Sequence, residues 1–185
     1  EPDRGQTHAL NKGFRQATGD ILAYINSDDI YYSGALHFAV RHMVKNGCDI
    51  FIGAMDKVLI DGAVSHFVKR ATPHNGPSIH AFPIFANGRI EDFQFIQSPM
   101  YWHRRIWEKT GAFNERYHYI MDREWCLRAL ARGASVVTVD DVLARFALHP
   151  ESKSVAHSAK FYVEKTQMYQ RLGREKEFQY IPCVL

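Results

Sequence analysis

Two adjacent carboxylates, Asp28 and Asp29, follow Asn26 and Ser27 at the end of the apolar run DILAYI, residues 20–25. Neighbouring carboxylates repel unless a cation or hydrogen-bond donors balance them. Mg²⁺ and Mn²⁺ prefer oxygen ligands and often take only one or two protein carboxylates, with phosphate supplying others. The chemistry suggested is a metal-bound phosphate or diphosphate. The plainer meaning of the same residues is a cap on the helix that follows. A second acidic pair, Asp122 and Glu124, opens a helical stretch beside Tyr117, Tyr119 and Trp125. Carboxylates in a first turn are favoured by the helix dipole. One of them facing a cleft would instead be a general base. His149, in LHPESKS, is either a solvated loop residue or a ligand for metal or an anionic oxygen.

The elements that position these residues follow from periodicity. Residues 6–18 are predicted helical, with Gly19 as the stop. Residues 20–25 read as a buried strand, 33–45 as a helix with Ser33 as N-cap and Gly47 as stop, and Cys48–Ala54 as a second strand. That alternation predicts an α/β sheet with largely parallel strands. Ligands in such sheets gather at the carboxyl ends of strands, where Asn26–Asp29 lie. Asp61-Gly62 marks a hairpin. Residues 71–90, with Pro73, Pro77 and Pro83, form a long irregular segment expected to act as a lid. FQFIQSPMYW is a predicted strand, residues 104–109 a short helix, and 122–132 a longer one closed by Gly133. Residues 135–139 and 142–148 are predicted strands, 149–154 a polar loop and 156–172 a final helix.

Composition narrows the class. The chain has 185 residues, 46% of them hydrophobic, and a formal charge of only +3. That balance excludes an electrostatic case for nucleic acid, and no apolar run approaches the roughly 18 residues of a membrane span. Cys48, Cys126 and Cys183 are widely spaced and include no CxxC pair, as expected of thiols in a reducing, cytoplasmic compartment.

Taken in order, the motifs resemble the family 2 glycosyltransferases of the GT-A fold, in the bacterial branch that builds surface polysaccharides. Asp3-x-Gly5-x-x-x-Ala9-x-Asn11-Lys12-Gly13 is similar to the family's D-x-G…A-x-N-x-G segment. Thr18-Gly19-Asp20-Ile21, followed by Asn26-Ser27-Asp28-Asp29, resembles the run that carries its D-x-D metal motif. Gln97-Ser98, Trp102-His103-Arg104-Arg105 and Gly111-Ala112-Phe113-Asn114-Glu115 resemble its acceptor-side run. Met121-Asp122-Arg123-Glu124-Trp125-Cys126-Leu127-Arg128 resembles the E-D-x-D-L-x-L-R run with the catalytic base, and residues 143–154 its R-x-H-x-x-S-x-S tail. Asn26 stands at the first D-x-D position, Met121 replaces a Glu, and Arg145 lies four residues before His149 rather than two.

The resemblance implies a mixed GT-A sheet flanked by helices, with residues 1–185 as one partial domain. It implies transfer of a sugar from a nucleotide-diphosphate donor to a saccharide or lipid-linked hydroxyl acceptor, with inversion and with Mn²⁺ or Mg²⁺. Asp122 would be the base. Asp28, Asp29 and His149 would hold metal, with Asp28 the better ligand and Asp29 a helper, and Asp3, Asn11, Asn26 and Asp28 would meet the donor. Gln97, Ser98, Trp102 and Glu124 would meet the acceptor, with Tyr101 and Trp102 either stacking on a sugar or packing in the core. The family's opening strands would lie upstream of residue 1, leaving an open sheet edge, a poorer nucleotide pocket and a tendency to form homo-oligomers. The enzyme would be cytoplasmic or peripheral at the inner face of a membrane. A sugar-nucleotidyltransferase and a non-catalytic carbohydrate-binding module are the rival readings.

Overall fold

The computed structural model describes residues 2–59, 66–69 and 97–172. The Asp61-Gly62 turn, the 71–90 segment and Cys183 lie outside them. The elements are α1 (Gln6–Gln16), β1 (Ile21–Leu22), β2 (Ile30–Tyr31), α2 (Ala35–Asn46), β3 (Ile50–Leu59) and β4 (His66–Lys69). They continue with β5 (Met100–His103), α3 (Arg104–Thr110), α4 (Met121–Ala131), β6 (Val136–Leu148), α5 (Lys153–Ala156) and α6 (Ser158–Leu172).

The strands form one sheet in the order β1-β5-β3-β6-β2, with β4 pairing on β3. Only β3 and β6 pair in parallel; the other described pairs are antiparallel. The sheet is therefore mixed, not largely parallel as the alternation predicts. The cause is specific. β1, β3 and β6 each follow a helix and run the same way, but the short β2, β4 and β5 are interleaved or added in the opposite sense. The β3–β4 pairing, Met55 opposite Lys69 through Val58 opposite His66, agrees with the expected hairpin.

Pleating divides the sheet between two apolar cores. Ile50, Ile52, Met100, Trp102 and Val136 face one side, and Phe51, Tyr101 and Val137 face the other. The second side is covered by Ala35, Ala39 and Met43 of α2, spaced four apart. The first holds a nest of rings: Phe14, Trp102, Trp107, Phe113 and Trp125, with centroid separations from 4.7 to 6.3 Å. These rings lock α1, β5, α3 and α4 together. Trp102 has no exposure and Tyr101 only 1%, so neither reaches an acceptor.

Several boundaries differ from the sequence reading. The predicted strand at 20–25 is only Ile21–Leu22, because the chain leaves the sheet to bring Tyr24, Ile25 and Asn26 to a cavity wall. Gly34 with φ 80°, not Ser33, occupies the N-cap of α2. The predicted strands 135–139 and 142–148 are one strand carrying an irregularity. Its register against β3 jumps from Ile52 opposite Thr138 to Ala54 opposite Val142. Gly53 sits at the jump. A Cβ there would lie 2.6 Å from Leu143 Cδ1 and 3.1 Å from the Asp141 carbonyl oxygen. The close approach of β6 therefore requires glycine.

Gly53→Ala is expected to cost about 1–3 kcal/mol, read as a lower urea midpoint at unchanged slope. Gly13→Ala, where an added Cβ meets nothing within 4 Å in helix α1, is expected to raise the midpoint. Equal effects of the two changes would refute the packing account of Gly53.

Candidate active site

A cavity of about 590 Å³ opens beside the carboxyl ends of β1 and β6. Tyr24, Ile25, Asn26, Ser27 and Asp28 line one side, and His118 through Arg123 line another. Met55, Lys57 and Phe146 come from β3 and β6, and Lys153 and Phe161 from α5 and α6.

The two adjacent aspartates have different surroundings. Asp29 is 6% exposed and turns inward. Its Oδ1 accepts from the Ala147 N–H at 3.1 Å. Its Oδ2 accepts from Ser98 Oγ and from Asn26 Nδ2, each at 3.1 Å. Burial raises its pKa, opposed by those donors. Both oxygens are thus occupied by the fold, which corrects the expectation of Asp29 as a metal ligand. Asp28 points out, its carboxylate 3.1 Å from His149 Nε2. His149 is placed by a tight turn after β6, in which its N–H donates to Ser152 Oγ at 2.9 Å and its carbonyl accepts from the Ser152 N–H at 2.9 Å.

Among the described residues no group of three or more His, Cys, Asp or Glu converges. Asp28 and His149 offer one carboxylate and one imidazole at the cavity edge. That donor set fits a divalent cation completing its shell from a diphosphate, Mn²⁺ accepting the nitrogen more readily than Mg²⁺.

Asp122 is the second residue of α4 and lines the cavity. Its Oδ1 accepts from the Arg123 N–H at 2.7 Å and its Oδ2 from the Tyr24 hydroxyl at 3.3 Å. Burial lifts its pKa above the ordinary aspartate value, and these donors and the Arg123 charge pull the other way. Such a carboxylate is a stronger base than an exposed one. Glu124 is a different case. It is 2% exposed and bound through both oxygens to Arg128 at 3.0 Å, away from the cavity. Arg128 also donates to the carbonyls of Thr110 and Ala112, so the pair fixes the turn after α3. Glu124 is therefore structural, not an acceptor contact.

Other motif residues also hold the frame. Asn11 is buried and clasps Phe113, donating to its carbonyl and accepting from its N–H, at 2.9 and 3.0 Å. It does not reach a donor. Asp3 lies outside the cavity lining and pairs with Lys12 at 2.9 Å. Gln97 and Ser98 line the cavity, but Gln97 donates to the Tyr24 carbonyl and accepts from Asn26, and Ser98 donates to Asp29. They support the acidic loop rather than offer free acceptor contacts. Asn26 lines the cavity as the hub of this network. Arg104 donates to the Ala17 carbonyl and Arg105 pairs with Asp49, which gives both motif arginines structural duties. Arg145 neighbours cavity-lining Phe146 on β6, so it lies on the opposite sheet face from the cavity.

Tyr24, Lys57 and Lys153 line the cavity and were absent from the sequence-based site. Tyr24 had a signal: a hydroxyl in an otherwise apolar strand needs a partner. Lys57, in the exit of a long apolar strand, had another.

The model of the family described as glycosyl transferase family 2 matches residues 1–117. No curated protein sequence matches. Solved structures of S. aureus TarS are similar in fold. The TarS 1-349 complex with UDP-GlcNAc has TM-score 0.65 and 12% identity, covering 94% of this chain and 48% of that one. The complex of the same fragment with UDP has TM-score 0.61 and 15% identity, covering 93% and 46%. A further TarS structure has TM-score 0.62 and 15% identity, covering 93% and 28%. The chain thus spans half the length of these structures or less.

Asp29→Ala would leave the Ala147 N–H and the Ser98 hydroxyl unpaired inside the protein. It is expected to cost about 2–3 kcal/mol and to lower the melting temperature clearly. Asp28→Ala, one residue away, should leave the melting temperature unchanged. A reversed order in thermal melts would overturn the division of labour.

Proposed function

The chain belongs to glycosyl transferase family 2, and from that premise we propose that it moves a sugar from a nucleotide-diphosphate donor to a hydroxyl acceptor with inversion. The observation that carries this reading is the cavity itself. It receives Asp122, a desolvated carboxylate, from one wall and Asp28, paired with His149, from another. The nucleotide complexes of TarS support a uridine-diphosphate donor for the fold.

In this reading Asp122 accepts the proton of the acceptor hydroxyl. The acceptor oxygen then bonds to the anomeric carbon, and the bond to the diphosphate oxygen breaks with its electron pair leaving on the diphosphate. The Tyr24 hydroxyl and the Arg123 N–H hold the carboxylate still while it works. Tyr119, Phe146 and Phe161 offer apolar surface for a sugar ring. Asp28 and His149 would hold a divalent cation, which supplies positive charge to the leaving diphosphate. Residues 1–185 are taken as part of one GT-A domain, since both cores share a single sheet. Among the described residues no helix is long and apolar enough to cross a membrane. Separately, the family resemblance supports an enzyme of polysaccharide or glycoconjugate synthesis acting on a saccharide or lipid-linked acceptor, cytoplasmic or peripheral at the inner face of a membrane.

Asp122→Asn is expected to lower turnover by roughly 10²-fold or more at a UDP affinity within about twofold of wild type. Because Asp122 must be ionised to act, the wild-type rate should fall as pH drops through its pKa. Burial raises that pKa, so the fall begins above the ordinary aspartate range. Near wild-type transfer by Asp122→Asn would sink the assignment. Calorimetry adds an independent check: Asp28→Ala should abolish the Mn²⁺-dependent part of UDP binding.

A further inference from the structure

Lys153 is the first residue of α5 and lines the same cavity as Asp122. Its ammonium donates to Gln6 Oε1 at 3.0 Å and to the His118 carbonyl, and lies 4.9 Å from the centre of the Tyr119 ring. His118 and Tyr119 belong to the 117–120 loop that runs directly into α4, so whatever holds this loop sets where Asp122 begins. α6 grips the loop from a second direction: Glu164 accepts from the N–H groups of His118 and Tyr119, each at 2.8 Å. The Gln6 contact extends across the site. Gln6 Nε2 donates to Asn26 Oδ1 at 3.0 Å, and Asn26 donates to Gln97 and Asp29. A polar chain thus runs from the loop before the base to the loop that presents Asp28.

The charges point the same way. Facing Asp122 are Arg123 and Cys126 on its own helix, Tyr24 from the segment after β1, and Lys153 from α5. Asp29 and Tyr31 act on the Tyr24 phenol from behind. Tyr169 of α6 accepts from Arg123, Glu164 faces Lys153, and His157 meets the Tyr119 ring edge-on. Burial pushes the Lys153 ammonium below the ordinary lysine range, and Glu164 and Asp122 oppose that shift.

We propose that Lys153 is a positioning residue for Asp122, which fixes the 117–120 loop and adds positive charge to the cavity that Asp122 lines. This rests on the reading of Asp122 as the base. The Arg123 charge already opposes the burial of Asp122, and a second nearby cation favours the ionised form further. The amide chain through Gln6 and Asn26 keeps that cation in register with the acidic loop.

The test is a carboxyl-carbon NMR titration of Asp122 in the chain without ligand, paired with the pH–rate profile of the complete enzyme. Lys153→Met removes the charge. The Asp122 midpoint should move up by about half a pH unit or more, and the acidic limb of the rate profile should move with it. Turnover lost at low pH should return at higher pH, with the donor KM unchanged. Lys153→Gln, which keeps a donor for Gln6 and the His118 carbonyl, should show the same shift if Lys153→Met folds poorly. Lys153→Arg should restore the wild-type midpoint. Coincident midpoints in wild type and both neutral variants would overturn the proposal, even if their melting temperatures fall. The titration needs no substrate, so it reads this proposal separately from the transferase reading, which fails if Asp122→Asn remains active.

Discussion

The site depends on one buried carboxylate. Asp29 gathers the Ala147 N–H of β6, the Ser98 hydroxyl ahead of β5 and the Asn26 amide of its own loop onto its two oxygens. A carboxylate this deep is costly unless its lone pairs are filled, and here the donors come from three separate chain segments. That requirement makes the loop after β1 rigid. With Asp29 drawn inward, the next side chain back, Asp28, is turned to the cavity edge, where the turn after β6 brings His149. The Ala147 N–H bound by Asp29 lies two residues before His149. One buried anion thereby sets the relative positions of both candidate metal ligands.

The opposite wall is set by a different force. The rings of Phe14, Trp102, Trp107, Phe113 and Trp125 pack between the sheet and α1, α3 and α4. Directional polar contacts then fix the register of that packing. The Asn11 amide clasps Phe113, Thr7 donates to the Tyr117 carbonyl at 2.7 Å, and Trp125 Nε1 donates to the Gly111 carbonyl at 2.8 Å. Aromatic burial supplies cohesion without direction, and these hydrogen bonds supply direction. Together they bring the N-terminus of α4, and Asp122 with it, to the cavity.

Much of this was legible in the sequence, for reasons that differ between elements. The helices and the central strands announce themselves by period, and β3 and β6 emerged near their expected places because their apolar runs are long. The short β2 did not. Ile30–Tyr31 is a strand only because β6 lies alongside it, and pairing with β5 likewise decides that only Ile21–Leu22 of the predicted strand 20–25 stays in the sheet. The Ile52–Ala54 irregularity that lets two predicted strands join also depends on the partner strand. Among site residues, the acidic loop and Asp122 were legible as chemistry, and the resemblance ranked Asp28 above Asp29, but only as the better of two metal ligands. Their roles divide according to which carboxylate meets Ala147 and Ser98, and those residues are distant in sequence. Trp102, Glu124 and Asn11 were misplaced for a shared reason. A residue type suited to binding is equally suited to holding a frame, and burial decides between them.

The frame and the chemistry are also less separable than a list of motifs suggests. The same kind of group does both jobs within a few ångströms. Asp29 and Glu124 are anions whose oxygens the protein fills, whereas Asp28 and Asp122 keep part of their capacity toward the cavity. Tyr24 shows how the two sets join. Its ring packs against Phe14 and Trp102 in the core while its hydroxyl donates to Asp122 and its carbonyl accepts from Gln97. A displacement of the aromatic core would therefore move the donor that steadies Asp122, and through Gln97 and Asn26 it would reach the acidic loop. Core packing and the geometry of the two carboxylates are one mechanical system, so the shape of this cavity depends on residues that do not line it.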